Sequence, residues 1–228
     1  MTDGAERAGA RPRLGRAILG ALRLVVEHAF PLVAVNLALG VIVAGYVFAL
    51  IGLPVLLLAL PVIALPTAAL TRLAVSAVRS GVPTLGMARN ELGRLPLRKL
   101  AMAAVQVLVL GIAASNLGLA GEIGGVLGAM SAGVAVYALV VTGIFAMAVW
   151  PIVCDPLREG SLRDQLRLAL AVALRRPVQL GLLALIAGLA AVASLQVPVL
   201  GLFLPSVVLL AIAGYVVPSA DEIAPPHT

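Results

Sequence analysis

The hydrophobic positions of this chain fall in long blocks rather than short alternations. Residues 29–71 form a run of 43 without Asp, Glu, Lys or Arg, broken near its middle by Gly52-Leu53-Pro54. Residues 177–220 form a second such run of 44, with Val197-Pro198 inside it. A bilayer is crossed by ~20 apolar residues rising about 1.5 Å each, so each run has room for two spans and a tight turn. Between them, residues 100–119 and 125–150 read as two further spans around a turn at Gly121-Glu122. The pattern predicts an all-α membrane protein, a bundle of six transmembrane helices at about 29–51, 53–71, 100–119, 125–150, 177–196 and 199–217. Pro61 and Pro66 should kink the second span, or make it re-entrant.

Three amphipathic stretches precede or link the spans. Leu14, Ile18, Leu22 and Val25 share one helical face, with Arg16, Arg23 and Glu27 elsewhere on the wheel. That spacing fits a helix lying in the membrane interface. The second span should continue as helix past Arg72 and Arg79 and stop at Ser80-Gly81-Val82-Pro83. A second amphipathic piece then covers residues 84–95. The third begins with Ser161 and Asp164, spaced as a capping box. It carries Leu162, Leu166, Ala169, Leu170 and Ala173 on one side, Arg163 and Arg167 on the other, and ends at Arg175-Arg176-Pro177. Such helices either lie on anionic headgroups or dock a partner. Leu162, Leu166 and Leu170 form the candidate partner-docking face. An amphipathic helix, a Pro (Pro31, Pro96, Pro177) and an uncharged hairpin recur three times in the same orientation, unlike an inverted transporter repeat.

Composition supports the pattern. The chain has 228 residues, 62% of them hydrophobic and 11% charged, against ~25% charged in soluble domains. Only lipid can solvate so much apolar surface, and residues 14–217 read as one polytopic membrane domain. Residues 1–13 are expected to be a disordered cytoplasmic tail, and residues 218–228 a loose polar C-terminal tail. The net charge is +6. If the outer turns lie near residues 52, 122 and 198, all 16 Lys and Arg fall on one side. The positive-inside rule then places both termini in the cytoplasm. With four Phe, three Tyr and one Trp and no folded basic domain, nucleic acid is not an expected partner.

The chain offers few groups for chemistry. Its two His, His28 and His227, cannot form a His-Glu-x-x-His site. Cys154 is the sole cysteine, which excludes an internal disulfide and disfavours a thiolate metal site. Phosphate-binding glycine loops are absent, and Ser131 has no base near it in sequence. We therefore expect no enzyme, no cofactor and no metal. The candidate intramembrane polar contacts are Asn36, Gln106, Asn116 and Tyr137. Asn36 matters most, because an amide in mid-span needs a partner. Asp155 is expected to cap the fourth span or to pair with Arg158. Gly121, Gly125, Ala129 and Gly133 form a small-residue ridge suited to close helix packing within the chain.

Val35-Asn36-Leu37, followed by Leu65-Pro-Thr-Ala-Ala-Leu70 leading to Arg72 and Arg79-Ser-Gly81, resembles the YesL family of bacterial membrane proteins. Asn116-Leu117, the Trp150-Pro151 exit and residues 168–177 are also similar, so the likeness covers about residues 20–217. The chain departs from that family in lacking a Trp after the first Asn-Leu and in having Leu65 where a Gly is usual. The family has no established activity, and its members are often encoded beside sugar-import ABC transporters. The resemblance implies an accessory or scaffold role in carbohydrate uptake at the bacterial cytoplasmic membrane, with importer subunits as partners. A small stand-alone transporter or channel, with its site near the kinked second span, is the alternative.

Overall fold

The computed structural model describes residues 14–28, 30–38, 40–41, 64–82, 84, 86–87, 97–158 and 160–225. The expected N-terminal tail, the turn of the first hairpin with Pro61, and most of the second amphipathic piece lie outside the described residues.

The described chain is helical. Its elements are α1 (Leu14–Glu27), α2 (Phe30–Ala38), α3 (Ala64–Ser80), α4 (Leu97–Ile123), α5 (Gly125–Val153), α6 (Leu162–Arg175), α7 (Pro177–Gln196) and α8 (Leu204–Ile223). Short 3-10 turns at Pro156–Arg158 and Pro198–Leu202 join α5 to α6 and α7 to α8. Among the described residues four helices are long and apolar enough to cross a membrane: Lys99–Ile123, Gly125–Val153, Pro177–Ser194 and Leu204–Ile223. They overlap the third to sixth expected spans, the last of them beginning at Leu204 rather than near residue 199. A fifth arises if α1 and α2, which meet at 93°, count as one broken span. The protein is thus a multi-pass, membrane-embedded helical bundle.

The last helix is its axis. Over half of the α8 window is buried, 56% against 11–17% for the other three spans. It touches α1, α3, α5, α6 and α7, and Leu210, Ile212, Tyr215, Val216 and Val217 on it are buried. The helix also runs through Pro218 to Ile223, past the point where the polar tail was expected to begin. The amphipathic α1 leans on this axis: Ala21 is buried, and Leu14, Ala17, Ile18, Leu24 and Val25 pack on the core. Its inner face thus rests on protein, while Leu19 and Val26 stay exposed.

Local signals act where the sequence places them. Gly81, with φ 73°, ends α3 and donates its N–H to the Ala77 carbonyl at 2.9 Å. Ser161 caps α6, its Oγ accepting the Asp164 N–H at 3.2 Å. Pro177 opens α7 at its first position, where no backbone N–H is needed.

The α4–α5 hairpin corrects one expectation. It turns at Gly124 and Gly125, with φ of 62° and 59°, rather than at Gly121-Glu122. Side chains rarely adopt that conformation, so two glycines let the helices reverse almost without a loop. The close approach is also displaced from the expected ridge. A Cβ added at Gly121, Gly125 or Gly133 would meet nothing within 4 Å, whereas one at Gly128 would collide with the Ala120 carbonyl oxygen. The backbone contact is Gly128 on Ala120.

Candidate functional site

Two places in the bundle concentrate polar or concave features. The first is an ionic knot at the end where α3, α5 and α8 finish. Arg72 and Arg79 are seven residues apart on α3 and so share a face. Arg72 Nη1 donates to the Cys154 carbonyl at 3.0 Å, satisfying the C-terminus of α5. Arg79 bridges two helices, with Nη2 2.5 Å from Asp155 Oδ2 and Nη1 2.6 Å from Asp221 Oδ2. Arg158 closes the ring, its Nη2 2.5 Å from Asp221 Oδ1 and its Nε 3.4 Å from Asp155 Oδ2. It also donates to the Ala224 carbonyl at 2.7 Å. Asp155 is buried, and its Oδ1 accepts the Leu157 N–H at 3.1 Å. Nearby, Arg176 between α6 and α7 pairs with Glu222 at 3.1 Å.

Within the knot, Arg79, Arg158, Asp155 and Asp221 form a ring of two positive and two negative charges, which is the condition for burying charge at tolerable cost. Burial alone would drag the Arg79 pKa down. The hydrogen bonds and charges of Asp221 and Asp155 outweigh it, and the guanidinium is held above its ordinary value. The local pairing of Asp155 with Arg158 is present, but it is one edge of a larger ring. Neither Arg79 nor Asp221 was among the candidate site residues read from the sequence. Their signal was there: Arg79 extends the face of Arg72, and Asp221-Glu222 follow 44 uncharged residues.

Cys154 is adjacent and fully buried. Burial pushes its thiol up to about 11. We expect Cys154 in the folded protein to resist maleimide at pH 7.5 and to label fully once the bundle is unfolded. Rapid labelling under native conditions would contradict the burial.

The intramembrane polar residues are placed differently from one another. Asn36 on α2 is buried and binds the start of α8. Its Nδ2 donates to the Leu202 carbonyl at 2.8 Å and to Ser206 Oγ at 2.7 Å. Asn36 Oδ1 has no hydrogen-bond partner among the described residues. Gln106 on α4 accepts the Trp150 indole N–H at 3.0 Å, an α4–α5 bond that ties the hairpin near its charged end. Asn116 is part-exposed on α4, and Tyr137 is 70% exposed on α5. Gln106 and Tyr137 share one groove, whereas Asn36 and Asn116 lie apart from it. Among the described residues no group of three or more His, Cys, Asp or Glu could hold a metal ion.

That groove is the second place. It is a cavity of about 680 Å³ between α4, α5 and α6, lined by Val105, Gln106, Tyr137, Val141 and Phe145 and closed on one side by the α6 leucines. The size is that of a small-molecule site, but its wall is almost wholly apolar. A second cavity of about 500 Å³ adjoins it and shares Phe145, Leu162, Leu166 and Leu170, with Arg163 and Arg167 added at its rim. Leu162, Leu166 and Leu170, the candidate docking face, therefore border a groove rather than standing free of the bundle.

No protein-family model matches the chain, and no curated protein or solved structure matches it.

Proposed function

We propose that this chain is a non-enzymatic, multi-pass protein of the bacterial cytoplasmic membrane, with both termini cytoplasmic, serving as an accessory or scaffold component in carbohydrate uptake. The link to carbohydrate rests on the resemblance to the YesL family, and the orientation on the positive-inside rule. The observation that carries the scaffold reading is how the polar groups are engaged. Asn36 is tied to Ser206, Gln106 to Trp150, and the Thr71, Ser194 and Ser219 hydroxyls to carbonyls four residues earlier on their own helices. The buried charges are held in a neutral ring. Groups engaged in this way stiffen a bundle rather than line a passage.

The test is a mild-detergent purification from native membranes with mass spectrometry of what accompanies the protein. Permease or ATPase subunits of a sugar importer should co-purify in fixed ratio. Purification alone would count against the scaffold reading.

A stand-alone transporter is the second reading, favoured by one observation: Asn36 Oδ1 is buried without a partner among the described residues. It predicts solute flux in liposomes containing only this protein, reduced by Asn36→Leu. Intact flux in that variant would remove Asn36 from the path.

A further inference from the structure

We infer that the groove between α4, α5 and α6 is a binding site for a single anionic phospholipid, with its headgroup at Arg163 and Arg167 and its acyl chains along the apolar wall. The inference rests on the chain being embedded in a membrane. It is independent of the scaffold reading.

Two observations carry it. The first is the order of residues along α6. Arg163, Arg167, Leu170 and Leu174 recur at spacings of four, three and four, so they form one stripe, with half-exposed Leu170 on it rather than opposite the arginines as the sequence suggested. Its first half is basic and its second apolar. Leu170 and Leu174 are 50% and 73% exposed, and Arg163 and Arg167 are exposed too. The neighbouring stripe of Leu162, Leu166, Ala169 and Ala173 faces the bundle, with Ala169 and Ala173 buried. A surface that is cationic at one end and apolar at the other matches an anionic amphiphile.

The second is the continuity of the two cavities. The basic rim and the apolar trough share four side chains, so one molecule can span both. The rim keeps charge available: Arg167 has one weak pairing, 3.9 Å to the exposed Asp164, and Arg163 has no ion pair among the described residues. Each guanidinium can meet a phosphate with two parallel N–H donors, the geometry in which Arg binds phosphate best.

A purely hydrocarbon occupant, such as a partner's apolar helix, would leave the two exposed arginines at the rim unmatched.

The experiment uses the full chain purified in mild detergent, with phosphatidylglycerol and phosphatidylcholine added in equal amounts, read by native mass spectrometry. One phosphatidylglycerol should be retained in clear preference. In Arg163→Gln/Arg167→Gln the retained ratio should fall roughly 30-fold, the combined worth of two cations at an anionic lipid surface. Both side chains are exposed, so this variant should fold. Val141→Trp, which fills the trough, should reduce retention of both lipids. Glycerol 1-phosphate, which has the headgroup chemistry without the chains, should not compete. Equal retention of the two lipids, an unchanged ratio in the double variant, full competition by glycerol 1-phosphate, or a bound polypeptide in place of lipid would each overturn the assignment.

Discussion

Arg79→Met is expected to destabilise the bundle by ~3–5 kcal/mol, the usual cost of removing one partner from a buried ion pair. The reason is what the substitution leaves behind. The Asp155 side chain is 1% exposed and would keep the longer 3.4 Å contact to Arg158 Nε and the Leu157 N–H in place of its short bond to Arg79. Asp221, 30% exposed, can recover hydration and would suffer less. The prediction is therefore asymmetric. Asp221→Asn should cost clearly less than Arg79→Met, and the two together should cost less than their sum because they share an interaction. Unfolding in a denaturing detergent series, followed by exposure of Cys154 to maleimide, gives the stabilities directly. A loss below ~1 kcal/mol for Arg79→Met would place the knot with ordinary surface pairs and remove its role in holding α3, α5 and α8 together.

Gly128→Leu should be the second severe change. A Cβ at Gly128 meets the Ala120 carbonyl oxygen, a backbone atom with no rotamer to give way. Overpacking at a flexible site costs ~1–3 kcal/mol, and an immovable neighbour places this site at or above that range, so the hairpin must open. Its bond from the Trp150 indole to Gln106 lies 22 residues further along α5 and should be strained in turn. The informative comparison is with Gly133→Ala and Gly121→Ala. Neither position has an atom within 4 Å of the added carbon, and alanine is favoured over glycine in a helix by up to ~1 kcal/mol. Those two variants should be neutral or stabilising while Gly128→Ala is destabilising. Equal behaviour of all three in the same assay would show that α4 and α5 do not meet at Gly128.

The two predictions also separate what was legible in the chain from what was not. The candidate amides illustrate the boundary. Asn36 announced its need for a partner, because an amide in lipid must find one, but nothing in its neighbourhood named Ser206, 170 residues away. Gln106 likewise needed a partner, and it met Trp150 only because the hairpin turns at Gly124-Gly125. The α6 leucines read as a surface from their spacing. That the surface borders a groove depends on α4 and α5 running beside it.

By itself the sequence determined the membrane class, four of the long apolar helices and the helix boundaries at Gly81, Ser161 and Pro177. These properties are local. An uncharged run crosses lipid because its backbone hydrogen bonds are internal. Gly81 ends a helix because it tolerates positive φ, and Ser161 begins one because its hydroxyl meets a free N–H. Only the tertiary structure decided that α8 is the axis, that Arg79 meets Asp221 across 142 residues, and that the contact glycine is Gly128. Hydropathy does not carry that information. Lipid tails are as apolar as leucine, so a helix facing lipid and a helix facing its neighbours need the same composition. α7 and α8 are both apolar 20-residue helices, yet one is nearly bare and the other mostly enclosed. What distinguishes them is shape and the few polar groups that must be matched, and both are settled only when the helices come together.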